Sequence, residues 1–223
     1  NEAYFNPQRS HKLIKEATQL GSLLGTRLNT LRVRGESMKK TLGELHTVME
    51  KKEPGIYLFG DVGGGLFFSN NLGGYLGSSR YRATSETVRI GAAGKNAAGL
   101  SWSVSIDGGH VSSKSRHTVL SATGKQNIFG LSLSVGKRFE KTTFAMNGSV
   151  GHSRGKITSS LPGSMQMDKL KTRVPETLFN VGGDVAYALT EELSIAAAPQ
   201  LWVVPKATEK TSIGSQDAFR LKN

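Results

Sequence analysis

The chain has 223 residues, no cysteine, 27 glycines and a formal net charge of +12. The absence of cysteine excludes disulfides, thiolate metal sites and cysteine nucleophiles, and no run approaches the length of about 18 apolar residues that a transmembrane helix needs. The excess of Lys and Arg favours an anionic partner, nucleic acid or a lipid head-group surface, unless the charge is only scattered over a solvated surface. Because the sequence begins at Asn1 without a signal peptide, we expect it to be an internal part of a longer protein.

The N-terminal quarter has helical periodicity. An apolar stripe recurs at three- and four-residue steps until Gly35, which we interpret as a helix end. The helix predicted over residues 10–34 would be about 37 Å long, comparable to the thickness of a membrane. A weaker repeat before Pro54 predicts a second, short amphipathic helix, so we divide the chain into a linker, 1–53, and a β domain, 54–223. The stripe consists of Leu13, Ala17, Leu20, Leu24, Leu28 and Leu31.

After Pro54 the period changes to two. Residues 100–107 strictly alternate large apolar with small or polar side chains, so one face of this segment is apolar and the other is not. About seven such strands can be recognised. Besides 100–107, they occupy 56–68, 88–95, 129–136, 144–150, 179–189 and 193–204.

The connections between these strands alternate between tight and long. Short turns on one side and long polar loops on the other are typical of outer-membrane β-barrels, with the turns periplasmic and the loops extracellular. A soluble β-sandwich has the same alternation along its strands but no reason for this asymmetry. The tight turns are 96–99, 140–142 and 190–192, and the long stretches are 69–86, 112–126, 155–176 and the tail from Pro205.

The inward face of such a barrel would carry mostly Gly, Ala, Ser and Asn, which leaves space in the middle. The amphipathic N-terminal helix is connected to the first strand and can occupy this space. We predict that its basic residues Arg27, Arg32 and Arg34 meet the inward carboxylates Asp107 and Asp184. The alternative is a helix packed outside the sheet on its leucine stripe.

At this point the sequence resembles the translocator β-domain of autotransporters, from about Ala17 to Leu221. The segment Arg27-Leu28-Asn29-Thr30-Leu31-Arg32 is similar to the linker helix of that family, and Ala198-Pro199-Gln200-Leu201 is similar to a proline-glutamine motif in one of its later strands. The resemblance implies a transmembrane antiparallel up-and-down barrel of twelve strands with the helix in its lumen. It also implies a location in the bacterial outer membrane and a role in anchoring or exporting an N-terminal passenger domain.

The chain departs from the family pattern in three ways. Only about seven strands are recognisable, so we expect further strands outside this sequence or a partner such as the barrel-assembly machinery. The stretch from Gly35 to Glu53 is an insertion between the linker helix and the first strand. Some members cleave themselves at an asparagine pair in the helix; here Asn29 stands alone, and we do not carry that site over.

No catalytic, cofactor or metal site is predicted, and we do not expect an enzyme. His152 and Ser153 are adjacent on one strand and should therefore point to opposite faces. His110 and His117 lack a close second ligand. The glycine-rich segment 60–65 lacks the Gly-Lys-Ser/Thr of a phosphate loop.

The long loops are rich in Lys and Arg, and Lys169, Lys171 and Arg173 are expected to contact lipopolysaccharide together with the lipid of the outer membrane. Nucleic acid is not expected as a partner, because few aromatic residues that could stack on bases lie among these cations. Two alternatives remain open: an outer-membrane barrel of another class, a porin or lipid hydrolase, and a soluble basic β-sandwich that binds nucleic acid.

Overall fold

The computed structural model describes residues 7–70, 80–116, 121–160, 170–190, 193–205, 208–213 and 216–222. One helix precedes one antiparallel sheet whose strands follow each other in chain order. The predicted all-β class with an N-terminal helix is therefore confirmed, although the strands among the described residues do not close into a barrel. The elements are α1 (Pro7–Glu50), β1 (Gly55–Asn70), β2 (Arg80–Lys95), β3 (Leu100–Arg116), β4 (Ser121–Phe139), β5 (Thr142–Ser160), β6 (Leu170–Ala188), β7 (Ser194–Ala197), β8 (Gln200–Val203), β9 (Thr208–Ile213) and β10 (Gln216–Lys222).

The prediction of two helices separated at Gly35 was wrong, because α1 runs without a break from Pro7 to Glu50. Gly35 does not adopt the left-handed conformation that ends many helices; among the described glycines only Gly99 has a positive φ. A glycine inside a helix costs only about 1 kcal/mol relative to alanine, which contacts with the sheet can offset. No described helix combines the length and the apolarity required to cross a membrane.

The strands are longer than their alternation predicted. β1 to β6 contain 16 to 19 residues each, so most of the stretches interpreted as long loops are the ends of strands. Only 71–79, 117–120 and 161–169 remain between strands on that side, and they lie outside the described residues. The tight turns predicted at 96–99 and 140–142 are present, although Thr142 already belongs to β5; of the third, 190–192, residues 191 and 192 lie outside the described residues.

The sheet has eight positions across its width, and the seventh is built from three segments. β7, β8 and β9 all pair with β6, and β10 pairs with β9. Pro199 separates β7 from β8, as expected for a residue that cannot donate to the ladder. The tail from Pro205 is therefore not a loop, because β9 and β10 belong to it. Within the described residues, the outer edges of β1 and β8 have no strand partner.

The two faces of the sheet have inverted polarity compared with a soluble protein. The buried face of β3 carries Ser101, Ser103, Ser105 and Asp107, whereas its outward neighbours include Leu100 and Ile106. Such an arrangement suits a sheet that has lipid outside and polar contacts inside. The large apolar residues exposed on the outer face include Ile56, Leu58, Val62, Leu66, Val88, Ile90, Phe129, Leu131, Leu133, Val135, Phe144, Met146, Val150, Phe179, Val181 and Val185.

The sheet curves around α1. The helix reaches Asp61 on β1 through Lys40 and Asp184 on β6 through His46, and a Cβ on Gly35 would lie 3.9 Å from the ring of Trp202 on β8. The strands between these positions would span about 29 Å in a flat sheet, whereas a helix with its side chains is about 10–12 Å across. The sheet must therefore be concave toward the helix, and its inward face is called the lumen face below.

Candidate functional site on the lumen face

Among residues 21–50 of the helix, Arg34 is the most deeply buried charged residue, with 0% of its surface exposed. Its guanidinium forms an ion pair with Asp107 on β3. The second terminal nitrogen lies 3.4 Å from the carbonyl oxygen of Leu131 and 3.3 Å from that of Val150, and it also approaches the hydroxyl of Ser132. One side chain of α1 is thus held by three successive strands, β3 to β5.

Hydroxyl groups continue this polar interface toward the C-terminal end of α1. The Ser37 hydroxyl donates to Asp107 at 2.8 Å, so the carboxylate is shared by two helix residues. One turn further, Thr41 contacts the Ser105 hydroxyl at 2.6 Å, and Ser103 donates to the carbonyl oxygen of Thr41 at 2.8 Å. The serines of β3 that alternate with its lipid-facing residues therefore bind the helix directly.

The other basic residues of the helix find partners different from those predicted. Arg27 pairs with Glu176 on β6 at 3.2 Å. Arg32 lies 3.2 Å from the side-chain oxygen of Asn29 and 3.0 Å from the hydroxyl of Ser85 on β2. Of the predicted pairs between an arginine and a carboxylate, only Arg34 with Asp107 is formed.

Asp184, which was predicted to meet an arginine, instead contacts the His46 imidazole at 2.6 Å. His46 belongs to the segment that we had assigned to a separate short helix. Because α1 continues through this segment, a residue twelve positions after Arg34 still faces the sheet. Asp184 thus pairs with His46 instead of an arginine because the helix continues beyond Gly35.

A more exposed ion cluster joins α1 to β1 and β2. The Lys40 ammonium lies 2.6 Å from Asp61, and the Arg89 guanidinium contacts the same carboxylate at 2.5 Å. Arg89 also lies 3.6 Å from Glu44 and donates to the Thr41 hydroxyl at 3.2 Å. The cluster connects the helix to the first two strands.

Small apolar clusters flank the polar interface. Near the end with the long connections, Val33 packs with Tyr81, Ala83, Val111 and Ile128. At the opposite end, Leu45 and Met49 pack with Ala145. Apolar burial is thus divided into small groups, while the middle of the interface is polar.

Two further predictions concern the outer surface. Lys169 lies outside the described residues, and the loop assignment of Lys171 and Arg173 was wrong, because both belong to β6. The exposed apolar residues of the outer face form a band across the strands, which we call the apolar belt. The alternation missed this part of β6 because its outward residues are polar beyond the apolar belt. His152 is half-buried on the outer face, where it contacts Thr177 at 3.1 Å, whereas Ser153 is buried on the lumen face and accepts a hydrogen bond from Gln126 at 2.7 Å.

Several contributors to the site were missed by the sequence analysis. Glu176 was counted as a loop residue, and Gly130 and Gly151 were seen only as small residues. A Cβ added to either glycine would meet the Arg34 guanidinium. The two glycines thus form a pocket for Arg34. The sequence contained a signal for it, since both glycines occupy inward positions of regularly alternating strands and leave space there.

Known proteins resemble this chain in fold rather than in sequence. The sequence matches no family profile and no curated protein. The fold is similar to the translocator domain of the autotransporter NalP from Neisseria meningitidis, with a TM-score of 0.67 and 12% sequence identity over 89% of this chain and 67% of that chain. The predicted resemblance and the fold of an outer-membrane β-barrel are confirmed at the level of the fold, and the similarity supports a location in the outer membrane.

Two other structures are more distant. The alcaligin outer-membrane receptor FauA from Bordetella pertussis has a TM-score of 0.41 and 14% identity over 78% of this chain and 29% of that chain. A major outer membrane protein from Thermus thermophilus has a TM-score of 0.35 and 14% identity over 75% of this chain and 84% of that chain.

Proposed function

We propose that this chain is the membrane-embedded translocator part of an autotransporter, which anchors or exports an N-terminal passenger domain across the bacterial outer membrane. The observation that carries the proposal is the course of α1 along the lumen face. The helix is fixed to β1, β3 and β6 by the ion pairs of Lys40, Arg34 and Arg27. A segment held in this way connects the two ends of the barrel.

The direction of the helix supports a passenger on the outside. The C-terminal end of α1 lies at the end of the sheet with the tight turns, where the Lys95 ammonium donates to the carbonyl oxygens of Met49 and Lys51 at 3.1 and 2.7 Å. Gly25, nearer the N-terminus, lies against Tyr81, close to the long connection between β1 and β2. In outer-membrane barrels this is the extracellular end, so residues that precede α1 would emerge at the cell surface.

The dimensions agree with this course. A helix of 44 residues is about 66 Å long at about 1.5 Å per residue. Strands of 16 to 19 residues tilted by about 40° cover about 40–48 Å along the barrel axis. The helix therefore passes through the lumen and extends beyond the strands.

The lumen wall is suited to the passage of a polypeptide. Serine, glycine and alanine occupy most of the inward positions of β3, β4 and β5, so few large apolar groups on this part of the wall would hold an unfolded segment in place. The position of α1 argues against a porin, because the helix fills the space that solutes would use. The proposal gives the chain no catalytic role, and the position of His152 and Ser153 on opposite faces supports this against a lipid hydrolase.

The proposal also requires partners for the free edges. Unpaired backbone N–H and C=O groups cost several kcal/mol each in hydrocarbon. Within the described residues, β1 and β8 each pair on one side only. Further strands that close the barrel, or the barrel-assembly machinery during insertion, are therefore part of the proposed function.

The test uses the protein with an epitope tag fused before Asn1, expressed in a Gram-negative host. We expect protease added to intact cells to remove the epitope while the barrel remains protected. The matched variant lacks residues 7–50 but keeps the strands, and it should increase the conductance of planar bilayers because the lumen is emptied. A folded, inserted barrel with its epitope retained in the periplasm would contradict the proposal, and an unchanged conductance would contradict the position of the helix.

A further inference from the structure

A row of basic side chains follows the outer face of the sheet, beyond the apolar belt at the end with the long connections. We call Arg82, Lys114, Lys125 and Lys156 the outer basic row. All four are exposed, and they point outward because they have the same strand parity as apolar residues of the belt; on β4, Lys125 precedes Phe129 by four positions. These cations therefore lie on the side that faces lipid and not on the lumen face.

The register brings like charges directly opposite each other. Arg82 pairs with Lys114 across β2 and β3, and Lys125 pairs with Lys156 across β4 and β5. Lys156 in turn lies opposite Arg173 on β6. Directly opposed side chains have Cβ atoms about 4.5–5.5 Å apart, and like charges at this separation destabilise a sheet.

Within the described residues, no carboxylate pairs with the outer basic row. Glu86 is the one acidic side chain on this face of β2 to β5 beyond the belt, and its cross-strand neighbours are Gly64 and His110 rather than a cation of the row. The ion pairs among the described residues are instead formed on the lumen face, as at Asp61 and Asp107. Arg82 lies over the ring of Phe68, 5.5 Å from its centroid, and an external anion would offset the repulsion that remains between the cations of the row.

The position of the row relative to the belt defines the type of anion. From Phe129 to Phe139 the outward residues of β4, all apolar except Lys137, cover about 33 Å of strand, or about 25 Å along the membrane normal, which is the height of the lipid-facing band in such barrels. Lys125 lies about 10 Å further along the normal. This depth corresponds to the head-group region of one leaflet.

Directly below the row, the same strands form a shallow apolar groove on the outer face. It is lined by Val88, Ile90, Ile106, Phe129, Leu131 and Val150. A groove for hydrocarbon beneath a row of cations fits a molecule with a phosphorylated head and acyl chains. A free phosphate would use only the upper half of this surface.

We propose that the outer basic row binds the phosphate groups of lipopolysaccharide and that the acyl chains of the same molecule lie in the groove below. The inference rests on the proposed function in one respect, since it requires the long connections to face the cell exterior, where lipopolysaccharide forms the outer leaflet. The sequence analysis assigned the contact with lipopolysaccharide to residues 169–173. The proposed site adds residues of β2, β3, β4 and β5 to this contact.

The test measures the affinity of the purified full-length protein in a neutral detergent for lipopolysaccharide, with heat-modifiable migration as the check of folding. The variant Lys125→Gln/Lys156→Gln should bind at least tenfold more weakly and with a smaller salt dependence, because fewer charge contacts are screened. The matched control is Lys137→Gln, on the same strand and face but at the turn end; its ammonium lies over the ring of Phe139. We expect this control to bind like the unmodified protein.

Competition distinguishes the sources of phosphate. Neither inorganic phosphate nor phosphatidylglycerol at equal phosphate concentration should displace lipopolysaccharide. Displacement by inorganic phosphate would overturn the proposal in favour of a simple anion site, and equal competition by phosphatidylglycerol would overturn it in favour of a general anionic-lipid surface. Unchanged binding by the double variant would overturn it as well.

A stability measurement provides an independent readout. Without lipopolysaccharide at low salt, Lys125→Gln/Lys156→Gln should raise the apparent unfolding temperature because the repulsion is removed; with lipopolysaccharide present, the order should reverse. A lysine pair with only a structural role would change stability in the same direction under both conditions. Because these assays do not involve a passenger, their failure with normal surface display would reject only the lipid site, whereas lost display with normal binding would reject only the translocator function.

Discussion

Gly130 lies directly beneath the guanidinium of Arg34, so that a Cβ at this position would overlap the Arg34 nitrogens. Gly151, the cross-strand partner of Gly130, leaves room on the adjacent strand, where a Cβ would come within 2.6 Å of Arg34 Nε. The two glycines form the floor of a pocket into which a side chain of the helix fits. The requirement here is steric, since neither glycine has a positive φ.

The variant Gly130→Ala should therefore displace Arg34 from Asp107. Separating a buried ion pair costs about 3–5 kcal/mol, and we expect the free energy of unfolding of the full-length protein in detergent, measured with urea, to fall by a comparable amount. The matched control is Gly148→Ala on β5, where the nearest atom to the new Cβ would be 3.5 Å away. Equal losses in the two variants would contradict the pocket.

The pair itself can be tested by a double-mutant cycle. Asp107→Ala leaves the buried Arg34 charge without its carboxylate and should destabilise the protein by about 3–5 kcal/mol, whereas Arg34→Met/Asp107→Ala should recover part of this loss. The comparison is Lys40→Met: the Lys40 side chain is 44% exposed, and an exposed ion pair contributes about 1 kcal/mol or less. Additive effects of Arg34→Met and Asp107→Ala would argue against coupling.

Two glycines of α1 should respond in opposite ways to the same substitution. A Cβ on Gly25 would lie 2.6 Å from the ring of Tyr81, whereas nothing lies within 4 Å of one on Gly43. Gly25→Ala should cost about 1–3 kcal/mol through overpacking, and Gly43→Ala should stabilise the helix by up to about 1 kcal/mol. Unfolding midpoints of the two variants under one set of conditions give the comparison, and the same sign for both would be the contrary result.

The turn between β4 and β5 contains a strained residue. Glu140 has a φ of 43° and is the one non-glycine residue with a positive φ among the described residues. The left-handed conformation costs an L-residue about 1–2 kcal/mol, so Glu140→Gly should raise the free energy of unfolding by up to about 1 kcal/mol. Lys141→Gly is the matched control in the same turn and should not stabilise. A gain of equal size in both variants would point to flexibility of the turn rather than relief of strain.

The alternation of side chains was sufficient to predict the apolar part of β1 to β6 but not where these strands end, and it missed β9 and β10. On β4 the apolar outward residues from Phe129 onward mark the strand, whereas Thr123 and Lys125 occupy the same face without this mark. The outer environment changes from lipid to head groups and water, so the hydrophobic period disappears while the backbone ladder continues. The periodicity of the sequence reflects whether lipid or water surrounds the outward side chains. It does not report the backbone hydrogen bonds that define where a strand ends.

The partners of the helix were predictable only in part, for a different reason. Arg34 and Asp107 were both recognised as inward, and the structure joins them. His46 was assigned to another helix, and Glu176 to a loop. Partner choice depends on the rotation of the helix and on the register of strands far apart in sequence, and neither is encoded in local patterns.

The polar middle of the interface between α1 and the sheet has a thermodynamic consequence. Release of a segment from an apolar site exposes hydrocarbon to water and is accompanied by a large positive heat-capacity change, whereas exposure of polar surface makes an opposing contribution. Because Arg34, Ser37 and Thr41 are bound by polar groups, undocking of the helix should have a small heat-capacity change for its length. The enthalpy of undocking would then be nearly constant with temperature, so cooling would not weaken this interface as it weakens an apolar one, and a bacterium could keep this path closed in the cold.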